Sequence, residues 1–436
     1  MDTATAQLEA ELRDLLGADA VSSDLHKREK ASADGSYLSP IIQAQLPLGT
    51  AELVAYPASA AEIAATVAAA ARHGVAVTPR GKGTSNYGQS IPMRGGVVID
   101  MTRAKAIVEV GDGFVTTEPG TTMVALEQAA NSAGQQILIY PSTVQSSIGG
   151  FLAGGSGGTG SIKHGMVHTG YALALDVVHA TGNAELIHLE GVDTEPYIHN
   201  YGTAGIIARA TIALEPLQDW RGFFASFGDF HDAISVIGAF AELHPTPRLV
   251  SVDPPTLANA LPADAGIPKD RSSLRAILDA ASIDDATALV LAAGGRVEDC
   301  REGTQTSLKL SRMSYNHPIE WLQRAYPGKY FHVEVSGDLV GQIDDLVKIY
   351  PGGMLHLEAQ RGRPIGMLTG EFESPDAVYA GFERLRELGV GFHNPHQWYV
   401  DYRRRETQAL AARTDPRGLL NPGKLLEPTV VTGSQR

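Results

Sequence analysis

The run GFHNPHQWYVDYRRRE, residues 391–406, gathers His393, Asn394, His396, Trp398, Tyr399 and Tyr402. Imidazole titrates near neutrality, and flanking aromatic rings can exclude water, so this is where a general base is expected. His396 is the first choice, with His393 and Tyr399 beside it. Two histidines three apart could also ligate a metal, but no partner carboxylate motif accompanies them. A second candidate is GKYFHVEVSG, residues 328–337. Strand alternation puts Tyr330, His332 and Glu334 on one face and Phe331, Val333 and Val335 on the other. The His332–Glu334 pair reads either as a base with its orienting carboxylate or as a solvated outer face.

Two glycine-rich stretches suggest a ligand of another kind. VTPRGKGTSNYGQS, residues 77–90, leaves a strand with Arg80, Lys82 and three glycines, Gly81, Gly83 and Gly88. Neither the dinucleotide-binding GxGxxG spacing nor the P-loop pattern is present. YPSTVQSSIGGFLAGGSGGTGSIKHG, residues 140–165, holds seven glycines between Gly149 and Gly160. A flexible linker would leave Ile148, Phe151 and Leu152 exposed. A loop pressed against a ligand explains both the bare backbone and its apolar anchors.

Bulk properties limit the remaining choices. The 436 residues suggest two domains or three, and 43% apolar with 19% charged residues fits a globular protein. Thirty-five basic against 49 acidic side chains give a net charge of −14, which argues against nucleic acid as partner. Cys300 is the single cysteine, so neither an intramolecular disulfide nor a multi-cysteine metal site is expected. The first residues, MDTATAQLEAELRDLLG, read as an amphipathic helix and not as a signal peptide. No apolar run reaches membrane-spanning length, and the expected compartment is the cytoplasm.

The elements that must position these residues follow from periodicity. LVAYP and VAVTP read as strands flanking an alanine-rich helix, with Ser59 and Glu62 forming a capping box and Gly74 ending it. The first glycine stretch therefore leaves the carboxyl end of a βαβ-type unit, where α/β folds place ligands. Strands are expected at GGVVIDM, AIVEV and FVTTEPG, a helix from Thr121, and a hairpin turning at Gly182–Asn183. The long alternating strand in GTAGIIARATIALEPL comes next, and the character of the chain changes near 218.

With these motifs in order, the sequence resembles the FAD-binding PCMH-type, or vanillyl-alcohol oxidase, flavoprotein superfamily. The segment around PRGKGTSNYGQ is similar to its first FAD-binding segment, PSTVQSSIGG to its second loop, GTAGIIARATIAL to its following strand, and DPRGLLNPGKLL to its terminal signature. The closest likeness is to the glycolate oxidase and D-2-hydroxyacid dehydrogenase branch. The resemblance implies an α+β fold with a two-subdomain FAD-binding domain and an α+β cap. Its expected limits are an N-terminal helical segment 1–50, the FAD domain 51–218, the cap 219–398 and a return to the FAD domain at 399–436.

It also implies a cofactor site. Arg80, Gly81, Lys82, Gly83, Thr84 and Ser85, with Gly88 and Gln89, would cradle the pyrophosphate. Pro141, Ser142, Thr143, Ser146, Ile148, Gly149, Gly150 and Gly154 would run along the cofactor. Gly205 and Ile207 would hold the adenine end, and Asn421 and Lys424 would lie near the flavin ring. Many members tether FAD to a histidine where this chain has Thr84, and bicovalent members add a cysteine that the second loop lacks. Noncovalent FAD is therefore expected. Relatives often carry a Thr–Asn pair where Gly154–Gly155 stand.

For the cap, Lys329 sits in a context similar to that of a substrate lysine. HLEAQRGR keeps His356 of the branch's metal motif but puts Arg363 at the second histidine, so no metal is expected. Arg361 or Arg363 either assumes part of the metal's charge role or is surface charge. Tyr402–Arg403 is similar to the tyrosine–arginine pair of the superfamily's phenol oxidases. The expected function is hydride transfer from a small alcohol or hydroxy acid to flavin N5, with oxygen, a quinone or a carrier protein as electron acceptor. Oxidation of a para-substituted phenol and a silent flavin-binding subunit are the alternatives. Whether the chain forms a homodimer stays open.

Overall fold

The protein is described from a computed structural model, in which residues 2–426 are placed. Three sheets organise the described chain. The first has four strands in the order Val21–Ser22, Leu53–Ala55, Val97–Asp100 and Val77–Arg80, and all pairs except the first are parallel. The helix Ala60–His73 connects Leu53–Ala55 to Val77–Arg80. One half of its capping box is formed, as Ser59 Oγ accepts from the Glu62 amide at 3.2 Å, while the Glu62 carboxylate reaches one residue further back and accepts from the Ala58 amide at 2.7 Å.

The N-terminal segment packs onto the first sheet and its helix. Val21–Ser22 extends the first sheet, and Leu8 and Leu12 of the helix Thr3–Leu16 share a core with Ile63 and Val67. Apolar spacing at Leu8 and Leu12 gives that helix a face that must be covered, and the alanine-rich helix covers it. The returning C-terminus is tied to the same sheet, since the Val77 amide donates to the Leu419 carbonyl and the Asn421 amide to that of Val77.

The second sheet is antiparallel. The long strand Ile206–Pro216 lies between Phe114–Thr117 and Ala172–Val178, with Ile107–Gly111 and Ile187–Glu190 at the edges and Gln135–Ile137 pairing at its end. The predicted hairpin therefore forms. The second glycine stretch is not loop throughout. Residues Ile148–Gly154 wind into a short helix, because Ile148, Phe151 and Leu152 recur at helical spacing and are buried together.

At Trp220 the chain enters an eight-stranded antiparallel sheet that ends with Gly391–His393. One face carries the apolar core, with Phe331, Val333, Val335, Leu355, Leu357 and Leu368 packed under helices that include Pro375–Glu387. The alternate residues of the same strands are His332, Glu334, His356, Glu358, Met367 and Thr369. This polar face is not a solvated one. His332 is 3% exposed and His356 fully buried, because the face packs toward the first two sheets. The fold is α+β.

Candidate active site

A cavity of about 780 Å³ lies where the three sheets meet, within the size range of cofactor and ligand sites. Arg80, Gly81, Lys82, Gly83, Thr84, Ser85 and Gln89 line it from the first glycine stretch. Pro141, Ser142, Thr143, Ser146, Gly149, Gly150 and Gly154 line it from the second, and Gly205 and Ile207 from the long strand. The glycines have steric reasons. A Cβ on Gly81 would stand 1.8 Å from Ser147 Oγ, and Gly83 has φ +63° with the Arg80 guanidinium 2.0 Å from where its Cβ would be. Thr84 Oγ1 and Ser146 Oγ, 2.7 Å apart, join the two loops.

Four residues assigned to the cofactor do not line the cavity. Ile148 is fully buried as the apolar anchor of its helix. Gly88, Asn421 and Lys424 form a support behind the first loop. Asn421 Nδ2 donates to the carbonyls of Gln89 (3.0 Å) and Tyr201 (2.8 Å), and Lys424 Nζ donates to that of Gly88. Burial brings the Lys424 amine down to about 7. The terminal motif thus holds the shape of the loop from its far side.

The cavity continues into the cap, past Tyr315, Asn316, Glu320, Glu334, Ser336 and His393. His393 Nδ1 is 2.9 Å from Glu334 Oε2, and its Nε2 is 2.8 Å from Asp401 Oδ2. Burial opposes charge on this imidazole, but Glu334 and Asp401 outweigh it and raise its pKa to about 9. The result is a protonated histidine clasped by two carboxylates, with Glu334 on the cavity wall.

His396 is placed differently from expectation. It is 2% exposed and off the cavity: its Nε2 donates to the His332 carbonyl at 2.8 Å, and its Nδ1 lies 2.7 Å from Ser39 Oγ. Burial, with His332 beside it, lowers its pKa to about 3. Both nitrogens are occupied in fastening the N-terminal segment to the cap. His332 also stands behind the wall, with Nε2 3.3 Å from the hydroxyl of Tyr87, which lines the cavity. Tyr399 is buried away from it. Lys329 pairs with Glu371 at 3.0 Å, and Arg361 reaches Thr246 Oγ1 at 3.3 Å; neither lines the cavity. Arg403 pairs with Glu195 at 3.1 Å, and the Tyr402 ring stacks between His168 and His199.

His356 belongs to a closed ionic network beneath the cavity. Its Nδ1 meets Asp253 Oδ1 at 2.8 Å and its Nε2 meets Glu358 Oε1 at 2.9 Å, while Arg275 pairs with Asp253. The Tyr315 amide donates to Glu358 Oε1 at 2.6 Å, and the Tyr315 hydroxyl donates to the Gly158 carbonyl at 2.7 Å. Tyr315 holds φ +52°, strained for a non-glycine residue. The network thus fixes the segment that carries Tyr315 and Asn316 to the cavity. Arg363 is exposed. Because both His356 nitrogens are taken by carboxylates, activity is expected to survive EDTA. Loss of turnover that zinc or manganese restored would contradict this.

The site residues not singled out from the sequence are Tyr87, Asn316, Glu320 and Asp401. YNHPIE, residues 315–320, looks like an ordinary helix start, and Asp401 carries no motif of its own. Only the fold brings Tyr87, Asn316 and Glu320 to one cavity and sets Asp401 behind its wall.

Comparison with known proteins agrees with this geometry. Residues 51–187 match the family described as FAD binding domain. An uncharacterised FAD-linked oxidoreductase of Mycobacterium tuberculosis is 28% identical over 241 residues, 53% of this chain and 49% of that protein. The match thus spans about half the length of that relative. Glycolate oxidase subunit GlcD of Bacillus subtilis is 25% identical over 429 residues, covering 86% of this chain and 88% of that one. Among solved structures, 4-ethylphenol oxidase from Gulosibacter chungangensis superposes with a TM-score of 0.71 at 17% identity, over 98% of this chain and 97% of that one. An alkyldihydroxyacetonephosphate synthase gives 0.76 at 16%, over 96% and 86%.

The fold and the matched domain define an FAD-binding flavoprotein. Residues 51–187 carry an FAD binding domain, and the whole-chain fold resembles that of the PCMH-type, vanillyl-alcohol oxidase superfamily. Its cofactor is FAD, and the cavity fits that group. Bare backbone and cationic Arg80 and Lys82 face the space, and the buried Ser147 Oγ in its wall has no protein partner. Neither loop puts a histidine or cysteine at a tethering position. Acid precipitation is therefore expected to leave the yellow colour in the supernatant. Colour retained in the pellet would reveal a covalent link.

Proposed function

We propose that the protein is an FAD-dependent oxidoreductase that takes hydride from the reacting C–H of a small alcohol or hydroxy acid. The observation that carries this reading is a single cavity with two chemically different walls. One is the glycine-rich FAD wall, and the other presents Glu334 held by His393 and Asp401. FAD, when bound, supplies the two-electron hydride acceptor at N5.

The protein's part is to bind, orient and remove a proton. Glu334 is the cavity-facing acceptor for the alcohol proton. His393 fixes its orientation, and Asp401 fixes His393, which is the arrangement of a base with its orienting groups. Glu334 would take the O–H proton of an alcohol held against the FAD-side wall, and the product would be the carbonyl compound. GlcD supports the hydroxy-acid side of this reading. None of the described helices is long and apolar enough to cross a membrane.

Anaerobic exposure of the purified yellow protein to a substrate panel tests the proposal. Bleaching by alcohols or 2-hydroxy acids is expected. Bleaching by vanillyl-type phenols alone would replace it with phenol oxidation, and no bleaching would mean a silent flavin-binding subunit.

A further inference from the structure

We propose that Arg248 is a positioning residue for FAD, which holds the second glycine stretch in its cofactor-binding shape from outside the cavity. Arg248 directly precedes Leu249–Asp253, a strand of the eight-stranded sheet, and its amide donates to the Ile277 carbonyl of the neighbouring strand at 2.9 Å. Its buried side chain crosses to the second sheet. There Nη1 pairs with the buried Glu127 at 2.5 Å, and Nη2 donates to the Ile137 carbonyl at 2.6 Å. The guanidinium also lies 4.8 Å from the centre of the Tyr140 ring and 5.7 Å from that of Trp220. The Arg248 carbonyl accepts from the Gly160 amide at 2.7 Å. One residue thus holds the chain at Ile137 and Tyr140, where the loop begins, and at Gly160, where it returns.

The neck of the loop is clasped by further contacts from the same side. The Tyr140 amide donates to the Thr159 carbonyl at 3.1 Å. Ser311 Oγ lies 2.7 Å from Thr159 Oγ1 and 3.3 Å from the Tyr140 hydroxyl, so it bridges the two strands of the neck. The Tyr315 hydroxyl holds the Gly158 carbonyl one residue further along. Gly160 has φ +100°, and a Cβ there would stand 1.9 Å from the Leu138 carbonyl oxygen. The outgoing and returning chains are in direct contact.

Between these two ends the loop presents Ser142, Thr143, Ser146, Gly149 and Gly150 to the cavity. Glycine gives up more conformational freedom than any other residue when it becomes ordered. Order that is imposed only on binding weakens the binding. A loop whose ends are already closed has less freedom left to lose when FAD arrives. Arg248 supplies that closure with a cation, a planar fork and a carbonyl, and its own backbone is anchored in the eight-stranded sheet. FAD affinity is therefore set in part by a residue that does not touch the cofactor's cavity.

Arg248→Lys tests this. Lysine keeps a cation beside Glu127, but a point charge cannot hold Glu127, the Ile137 carbonyl and both rings at once. Two readouts are taken on the full-length protein. Fluorescence of the flavin released on dilution of the holoprotein gives the FAD dissociation constant, and amide hydrogen exchange after FAD removal reads the order of residues 141–158. The variant is expected to raise the dissociation constant by about tenfold or more. Exchange should quicken across 141–158 and stay unchanged across 80–90. Ser311→Ala should shift both readouts in the same direction to a smaller extent, and it carries the test if Arg248→Lys does not fold. Val290→Ala, which truncates a fully buried side chain in the helix Ile283–Ala292, is the control: it should lower the unfolding midpoint and leave both readouts as in the wild type. Unchanged FAD affinity, or unchanged exchange across 141–158, would overturn the proposal. An equal loss of FAD in Val290→Ala would also overturn it, since the effect would then be one of general stability. Neither readout involves a substrate, so the outcome is separate from that of the alcohol-oxidation reading.

Discussion

Glu334→Gln is expected to slow anaerobic reduction of the bound flavin by about 10²–10⁴-fold, the usual loss when a positioned base is removed. The amide keeps the shape of the carboxylate but cannot take the proton, so FAD content and folding should be retained. His393→Gln should act in the same direction, because Glu334 then loses its orienting partner. His396→Ala is the informative contrast. His396 lies off the cavity with both nitrogens engaged, by Ser39 and by the His332 carbonyl. Its loss leaves buried polar groups unpaired, a penalty of about 1–3 kcal/mol in stability, with little change in the rate of reduction. Stopped-flow reduction of the three variants decides the matter. Slow reduction in His396→Ala with normal rates in Glu334→Gln would move the base away from the wall described.

The pH dependence has a defined sign. The folded pKa of His393 lies near 9, above its ordinary 6.5. The stabilisation it gives to Glu334 and Asp401 is therefore complete below about 6.5 and lost as pH rises through about 9. Above that point two carboxylates face a neutral ring, and both the rate and the thermal stability should fall together. His393→Gln should lack that alkaline step.

Asp253→Ala carries the largest expected effect on stability. Asp253 neutralises Arg275 and His356 at once, and all three side chains are 0–1% exposed. Removing one member of a buried ionic network leaves uncompensated charge and costs about 3–5 kcal/mol. The damage should reach the cavity, since Arg275 also holds the Met313 carbonyl at 2.7 Å and Glu358 holds the Tyr315 amide. Urea unfolding followed by cap tryptophan fluorescence should show a lower midpoint than wild type. An unchanged midpoint would mean that the network contributes nothing to the cap.

Much of the glycine-rich cavity wall was legible because its chemistry is local. Glycines that must admit a neighbouring loop, a strand that ends in Arg80, and a capping box at Ser59 and Glu62 each act within a few residues. Where the N-terminal segment packs was not legible, for the converse reason. Its helix is readable, but that Leu8 and Leu12 meet Ile63 and Val67 is not written in any local spacing. The cap wall of the cavity shows the same limit. Alternation correctly grouped His332 with Glu334, yet both a solvated face and a buried one fit that pattern. His393 and His396 have equal claims in sequence. Their roles separate only when the strand Gly391–His393 pairs with Tyr330–Ser336, which sets His393 opposite Glu334. His396 then falls beyond the strand's end, against Ser39, more than three hundred residues away in the chain. Asp401 and Glu320 reach the cavity region through similar long-range contacts.

A single-turnover experiment reads the proposed chemistry itself. The FAD-loaded protein is mixed without oxygen with an alcohol substrate, and loss of the oxidised flavin absorption is compared with the carbonyl product formed. Equimolar carbonyl and reduced flavin are expected in the wild type, with the rate strongly reduced in Glu334→Gln. A flavin that dithionite reduces readily but that no alcohol, hydroxy acid or polyol touches would contradict that chemistry.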